Sequence, residues 1–239
     1  MLDKKVLKDI QSLSSKKQRR EQGLFLAEGP KVVAELLLTM RDEIEGIYAT
    51  STWAAANPEV QSILITDIEL GRISGLQTPN EVVAVLKQRE IKEPVMKKGW
   101  GLYLDGIQDP GNMGTIIRIA DWFGISNIVC SAGCAEVYNP KVVQSTMGSI
   151  GRVEVWYDEE GTWLGQQSLP EMVTSLTGTK VYEIQPKGGG ILVLGNESKG
   201  VSEAIMNSAS VRLTIPRIGA AESLNAAVAA GILLSHLLK

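Results

Sequence analysis

The chain is poor in the residues that most often hold metals or shuttle protons. It has one histidine, His236, and two cysteines, Cys130 and Cys134. A tetrahedral metal site needs three or four such ligands, so no metal is expected. The two cysteines lie four apart with a glycine between them, and they read as reduced, partly buried thiols ahead of a redox pair. His236 sits among leucines, which favours packing over histidine acid–base chemistry. Long apolar runs are missing as well. Ala226 to Leu234 is interrupted by Ser235 and His236, short of the ~18 residues that cross a bilayer. The opening MLDKKVLKDI mixes acids with lysines and has no apolar export core, so a cytoplasmic protein is expected. Two nucleotide signatures are also absent. No G-x-G-x-x-G follows a strand, and GNESKGVS carries Val201 where a P-loop needs lysine, which disfavours nucleotide hydrolysis.

What is present describes an ordinary folded protein. With 44% hydrophobic and 21% charged residues over 239 positions, the chain can bury one large or two unequal cores. The net charge of −3 is unevenly spread. Lys4, Lys5, Lys8, Lys16, Lys17, Arg19 and Arg20 face only Asp3 and Asp9 in the first twenty residues. Such a segment can bind phosphates by releasing counterions, or it can be a solvated helical face.

Pattern divides the chain. FLAEGPKVVAELLLTM reads as strand, turn and helix, with Pro30 at the helix start and Val32, Val33, Leu36 and Leu37 on one stripe. ILITD (63–67) and VVAVLK (82–87) read as buried strands. The charged, aperiodic QREIKEPVMKKG (88–99) places a linker at 91–99, between an N-terminal domain (1–90) and a C-terminal one (100–239). Beyond it strand and helix alternate. GLYLDGI, NIVCS, VEVWY, KVYEI, GILVLG and VRLTIP are expected strands. TIIRIADWF, PKVVQSTMGSI, LPEMVTSL, VSEAIMNSA and SLNAAVAAGILLSHLL are expected helices. This predicts an α/β fold, a mostly parallel sheet with helices on both faces.

Ligands of such sheets gather at the carboxyl ends of strands, which directs attention to three loops. QDPGNMG (108–114) offers two glycines and the Asn112 amide, and leads into a helix expected to bury Ile116, Ile119, Ala120 and Phe123 while leaving Arg118 on the polar side. Arg118 reads as an ion pair with Asp121 or as a guanidinium at a site mouth. GNESKG (195–200) puts Glu197 at a strand end, as a helix cap or as a ligand group. In IPRIGAAESLN, Ser223 is a candidate N-cap for a final helix that is apolar nearly all round, hence buried on every side or facing a second subunit.

DPGNMGTIIRIADWFG, LVLGNESKGVS and IPRIGAAESLNAAVAAGILL together resemble, in order and spacing, the three motifs of the SpoU (TrmH-like) branch of the SPOUT RNA methyltransferases. VYNPKVVQSTMGSI resembles the stretch between the first two motifs. SKKQRREQGLFLAEGPKVVAELL and SGLQTPNEVVAVLK resemble that family's RNA-binding module. The resemblance implies an S-adenosylmethionine-dependent ribose 2′-O-methyltransferase with a C-terminal trefoil knot and a small N-terminal α/β RNA-binding domain. It implies a homodimer whose sites draw on both subunits. Asn112, Arg118, Glu197, Ser223 and Asn225 match the family's active-site positions, and Leu194, Gly195, Ile215 and Leu224 its cofactor positions. Arg118 is often assigned the ribose proton there. A guanidinium stays protonated, so we read Arg118 as aligning the hydroxyl or a neighbouring phosphate. Gln144 and Thr146 stand where the family frequently has arginine and serine, which puts an RNA contact at Gln144 in doubt. The separate N-terminal module suits ribosomal RNA better than transfer RNA. Two other readings stay open: an RNA-binding protein without catalysis, against which the intact Arg118, Glu197 and Asn225 stand, and an α/β enzyme for a small metabolite, against which the basic N-terminal segment stands.

Overall fold

A computed structural model describes residues 2–185 and 188–238. In chain order the first half contains α1 (Lys4–Ser12), α2 (Lys16–Gln22), β1 (Leu24–Glu28), α3 (Pro30–Thr39), β2 (Ile44–Ala49), α4 (Ser51–Ala56), β3 (Ile63–Leu64), α5 (Asp67–Ile73) and β4 (Val82–Lys87). Next come β5 (Gly99–Asp105), α6 (Pro110–Trp122), β6 (Asn127–Ser131), α7 (Pro140–Thr146) and β7 (Glu154–Asp158). The chain closes with β8 (Glu171–Lys180), β9 (Gly189–Gly195), α8 (Glu203–Ser208), β10 (Val211–Thr214) and α9 (Ala226–Leu237). Two compact units result, Met1–Glu90 with Glu136–Arg152, and Ile91–Ala135 with Val153–Lys239.

The first unit is built on a four-stranded sheet of order β1-β4-β2-β3, antiparallel except for the short β2/β3 pair. Leu26, Tyr48, Leu70, Val83 and Val85 centre its core, and Ile10 and Leu13 bring α1 onto it. The ILITD strand is cut to Ile63–Leu64, because Thr66 caps α5 through its hydroxyl and Glu69 returns the bond in a capping box. The N–H groups of Thr66 and then Leu2 hold the Glu69 carboxyl down to about 2. A depressed carboxyl stabilises above its ordinary range, so this cap is lost only as the pH falls toward 2.

Residues 136–152 join this unit through buried charge. Arg19, 1% exposed, donates from Nη1 to the carbonyls of Leu13 (2.8 Å) and Ser14 (2.9 Å), and from Nε and Nη2 to the Glu136 carboxylate. Arg89 binds Glu43 and the carbonyls of Thr39 and Gly151. Arg19 is thereby withdrawn from the basic N-terminal surface on which it was counted. Removing one partner of such a pair strands the other in a desolvated place, so Arg19→Ala should lower stability by about 3–5 kcal/mol. Urea unfolding of the full chain measures this, and a loss below about 1 kcal/mol, the scale of an exposed pair, would contradict it. The helix expected over 140–150 stops at Thr146. Met147 (φ 51°) and Gly148 (φ 92°) both turn left-handed, and a Cβ on Gly148 would lie 2.3 Å from Glu35 Cβ.

The second unit carries a wholly parallel six-stranded sheet, order β10-β8-β9-β5-β6-β7. Its core includes Tyr103, Val129, Trp163, Val173, Ile191 and Val193. The expected α/β architecture stands, with two corrections. LPEMVTSL has helical spacing, Leu169, Met172, Val173 and Leu176, yet forms β8. Buried Met172 and Val173 fill the gap between β9 and β10, and sheet context overrides local period. KVYEI forms a 3₁₀ turn at Val181–Glu183, since only Val181 of its alternating residues is buried.

Candidate active site

The first motif begins a helix earlier than its glycines suggest. Asp109 caps α6, its Oδ1 accepting the Asn112 N–H at 2.8 Å, and Pro110 takes the first helical position, where no N–H is needed. Asn112 is therefore a first-turn residue and not part of a loop. Met113, Ile116, Ile117 and Ala120 form the buried face, while Ile119 and Phe123, expected in the core, are half-buried.

The second motif is a closed turn. Asn196 N–H donates to the Gly200 carbonyl (3.0 Å) and Gly200 N–H returns to Asn196 (2.9 Å). A Cβ on Gly195 would lie 2.4 Å from backbone atoms of Gly200 and Val201, so only glycine lets the turn close there. Helix α8 starts at Glu203, which removes Glu197 from any capping role. The third motif delivers Asn225 as the N-cap of α9: its Oδ1 accepts the N–H groups of Ala227 (3.0 Å) and Val228 (3.2 Å). The capping expected of Ser223 falls to Asn225, and Ser223 stands exposed before it.

The three motifs meet through Asn112. Its Nδ2 donates to Glu197 Oε1 at 2.5 Å, and its Oδ1 accepts Asn225 Nδ2 at 2.8 Å. Each partner is also held by its own backbone neighbourhood, so the line Glu197–Asn112–Asn225 is preorganised, with the carboxylate at one end. Arg118 does not join it. It is exposed, and no hydrogen bond or ion pair engages it among the described residues. Six residues separate it from Asn112, which on an α-helix is about 9 Å along the axis and ~240° around it. Beside the network an open groove runs between α6 and α9, lined by Asn112, Thr115, Ile119, Asn225, Val228 and Ile232.

Leu194 is buried at the end of β9, Ile215 is half-buried after β10, and Leu224 is 48% exposed. Ile218 is fully exposed in the same segment. Apolar side chains left uncovered at Leu224 and Ile218 suit a flat heteroaromatic ring better than a phosphate. These residues fit S-adenosylmethionine by that criterion. Cys134 contributes differently from a reduced spectator. Its Sγ accepts the Ile107 N–H and donates to the Leu104 carbonyl, bracing the turn after β5, and both cysteines are free thiols. Asp105, Gly106 and Asn196 frame the network, and their only local signals in sequence are the Asp-Gly at the end of β5 and the Asn before Glu197.

The sequence model of the SpoU rRNA Methylase family matches residues 100–235, and that of the MRM3-like substrate binding domain matches residues 4–84. The 23S rRNA (guanosine(2553)-2′-O)-methyltransferase of Bacillus subtilis is 32% identical over 246 residues, covering 97% of this chain and 95% of that protein. A TrmH-family protein from Porphyromonas gingivalis superposes with a TM-score of 0.87 at 36% identity, covering 99% of this chain and 98% of its own. An AdoMet-bound rRNA methyltransferase from Sinorhizobium meliloti gives 0.85 at 28% identity, over 99% and 95%. With the family's motifs matched across the parallel-sheet unit and joined there by Asn112, this chain belongs to the SpoU rRNA methylase family.

Proposed function

We propose that the protein transfers the methyl group of S-adenosylmethionine to a ribose 2′-hydroxyl of ribosomal RNA, acting in the cytoplasm as a homodimer. The observation that carries this reading is the hydrogen-bonded line Glu197–Asn112–Asn225, which unites the three motifs at one place. Bound S-adenosylmethionine would supply an electrophilic methyl group on a sulfonium, leaving as S-adenosylhomocysteine while the hydroxyl proton passes to water. Leu194, Gly195, Ile215 and Leu224 would hold the cofactor, largely through main-chain groups. The line through Asn112 fixes the floor on which the ribose rests, and Arg118 aligns the 2′-hydroxyl or the adjacent phosphate. Ser223, exposed beside Leu224, meets the ribose or the cofactor's polar end.

Arg118 belongs to a composite site. Its angular offset from Asn112 and its lack of partners among the described residues support a dimer in which each subunit's Arg118 serves the other's network. Val228, 51% exposed, lines the groove between α6 and α9, and Trp122 is 85% exposed on α6; a second copy would cover both. The trefoil knot is part of the same reading. Strand β8 lies between β9 and β10, so the chain leaving β9 crosses it before returning in α9 to pack on α6 and β9.

Residues 1–90 act as the RNA-binding domain and 100–239 supply the methyltransferase domain, apart from 136–152, which belong to the N-terminal unit. Lys4, Lys5, Lys8, Lys16 and Arg20 are exposed for phosphates, and Lys17 is engaged with Glu21. Replacing Lys4, Lys5 and Lys8 together by alanine should reduce the slope of log affinity against log salt by up to about 2–3. Filter binding to ribosomal RNA across a salt series reads it, and an unchanged slope removes α1 from the RNA surface.

The reading as a whole is tested with purified protein, methyl-labelled S-adenosylmethionine and, in parallel, 23S rRNA, 16S rRNA and bulk tRNA. Label is expected in a 2′-O-methylated nucleoside from ribosomal RNA. Label in tRNA alone would move the substrate. No label anywhere, with no cofactor binding, would leave an RNA-binding protein.

A further inference from the structure

The Asn196 carboxamide is bonded at both ends. Its Oδ1 accepts the N–H groups of Ser198 (2.9 Å) and Lys199 (3.0 Å), which shapes the turn that carries Glu197. Its Nδ2 donates to the Gly106 carbonyl at 2.8 Å, in the turn that follows β5. Gly106 is left-handed (φ 69°), its N–H donates to Ser131 Oγ at 2.9 Å, and a Cβ there would lie 3.7 Å from Asn196 Cβ. Three residues later Asp109 caps the helix that presents Asn112. A parallel tie runs from the Ser202 N–H to Asp105 Oδ2 at 2.8 Å.

The consequence is geometric. Glu197 stands on the turn after β9 and Asn112 in the first turn of α6, 85 residues apart, and their 2.5 Å bond requires the two turns to be in register. Neighbouring strands β5 and β9 set that register only as far as Asp105 and Gly195, their last paired residues. Beyond the sheet, the Asn196 amide carries it on, one residue from Glu197 and across to Gly106.

We infer that Asn196 is a positioning residue for methyl transfer: it locks the Glu197 turn onto the β5–α6 turn so that the Glu197 carboxylate meets the Asn112 amide. The inference rests on the methyltransferase reading. Asn196→Asp separates the two bonds, since a carboxylate still accepts from Ser198 and Lys199 but opposes the Gly106 carbonyl where an amide donated.

In single turnover with saturating RNA and cofactor, Asn196→Asp should lower the rate about 10- to 100-fold, the scale of a small misplacement at a reacting centre, while cofactor affinity by calorimetry stays within about threefold. In a Glu197→Ala background the same substitution should cost less than about threefold, because its effect passes through Glu197. A near wild-type rate for Asn196→Asp overturns the inference. So does an equal loss in both backgrounds, or a rate loss matched by lost cofactor affinity, each of which marks a merely structural tie. Should Asn196→Asp fail to fold, Asn196→Ser serves in its place: its hydroxyl can take the Ser198 N–H but is too short for Gly106. Absence of transfer by the unsubstituted protein would instead count against the methyltransferase reading.

Discussion

Arg118→Lys is expected to remove at least about 99% of single-turnover methyl transfer, a loss of ~3 kcal/mol in transition-state stabilisation, while cofactor affinity is retained. Both side chains are cationic, so a role limited to charge would survive the change. A planar guanidinium presents two parallel donors to a phosphate or a donor pair to a ribose edge, and an ammonium on a flexible stem does not reproduce that fork. A near wild-type rate for Arg118→Lys would refute the positioning role. The composite site makes a second demand. Subunits bearing Arg118→Ala are expected to keep about 1% of the activity or less alone, and so are subunits bearing Glu197→Ala. Mixed and allowed to exchange, they should recover about a quarter of wild-type activity, because half the dimers are mixed and each of those has one intact site. No recovery, with exchange verified, would place Arg118 in its own subunit's site or remove it from the chemistry.

Glu197→Ala is expected to slow transfer by about 10²-fold, the usual cost of losing one preorganised polar partner. The Asn112 amide would then be held by Asn225 alone and free to turn. Asn225→Asp provides the complementary experiment. Aspartate is as good an N-cap as asparagine and its charge suits the N-terminus of α9, so melting temperature should hold or rise. It cannot donate to Asn112 Oδ1, so the rate should still fall. A variant that keeps both stability and rate would show that the line through Asn112 is incidental.

The three motifs are legible in sequence, and their Glu197 and Asn225 are both bonded to Asn112. Each taken alone had an ordinary explanation, and for Asn225 that explanation is also true: it caps α9. Arg118 was expected to have an ion pair as its plain alternative, and it has none among the described residues. Arg19 went the other way. Counted in a basic surface, it is buried against Glu136, 117 residues on in sequence, where no pattern in the first twenty residues points.

Sequence by itself determined the local geometry: Pro30, Pro110 and Pro140 at helix starts, Asp109 and Asn139 as caps, and Gly124 after α6. Each of these depends on one residue's dihedral preference or on a side chain reaching a neighbour two or three positions away. Tertiary structure decided that LPEMVTSL is a strand, that residues 136–152 pack with the N-terminal unit, and that Asn112 lies between partners 85 and 113 residues distant. Those outcomes follow from which strands become neighbours. Strand order is fixed by burial summed over the whole sheet, and no local period records it.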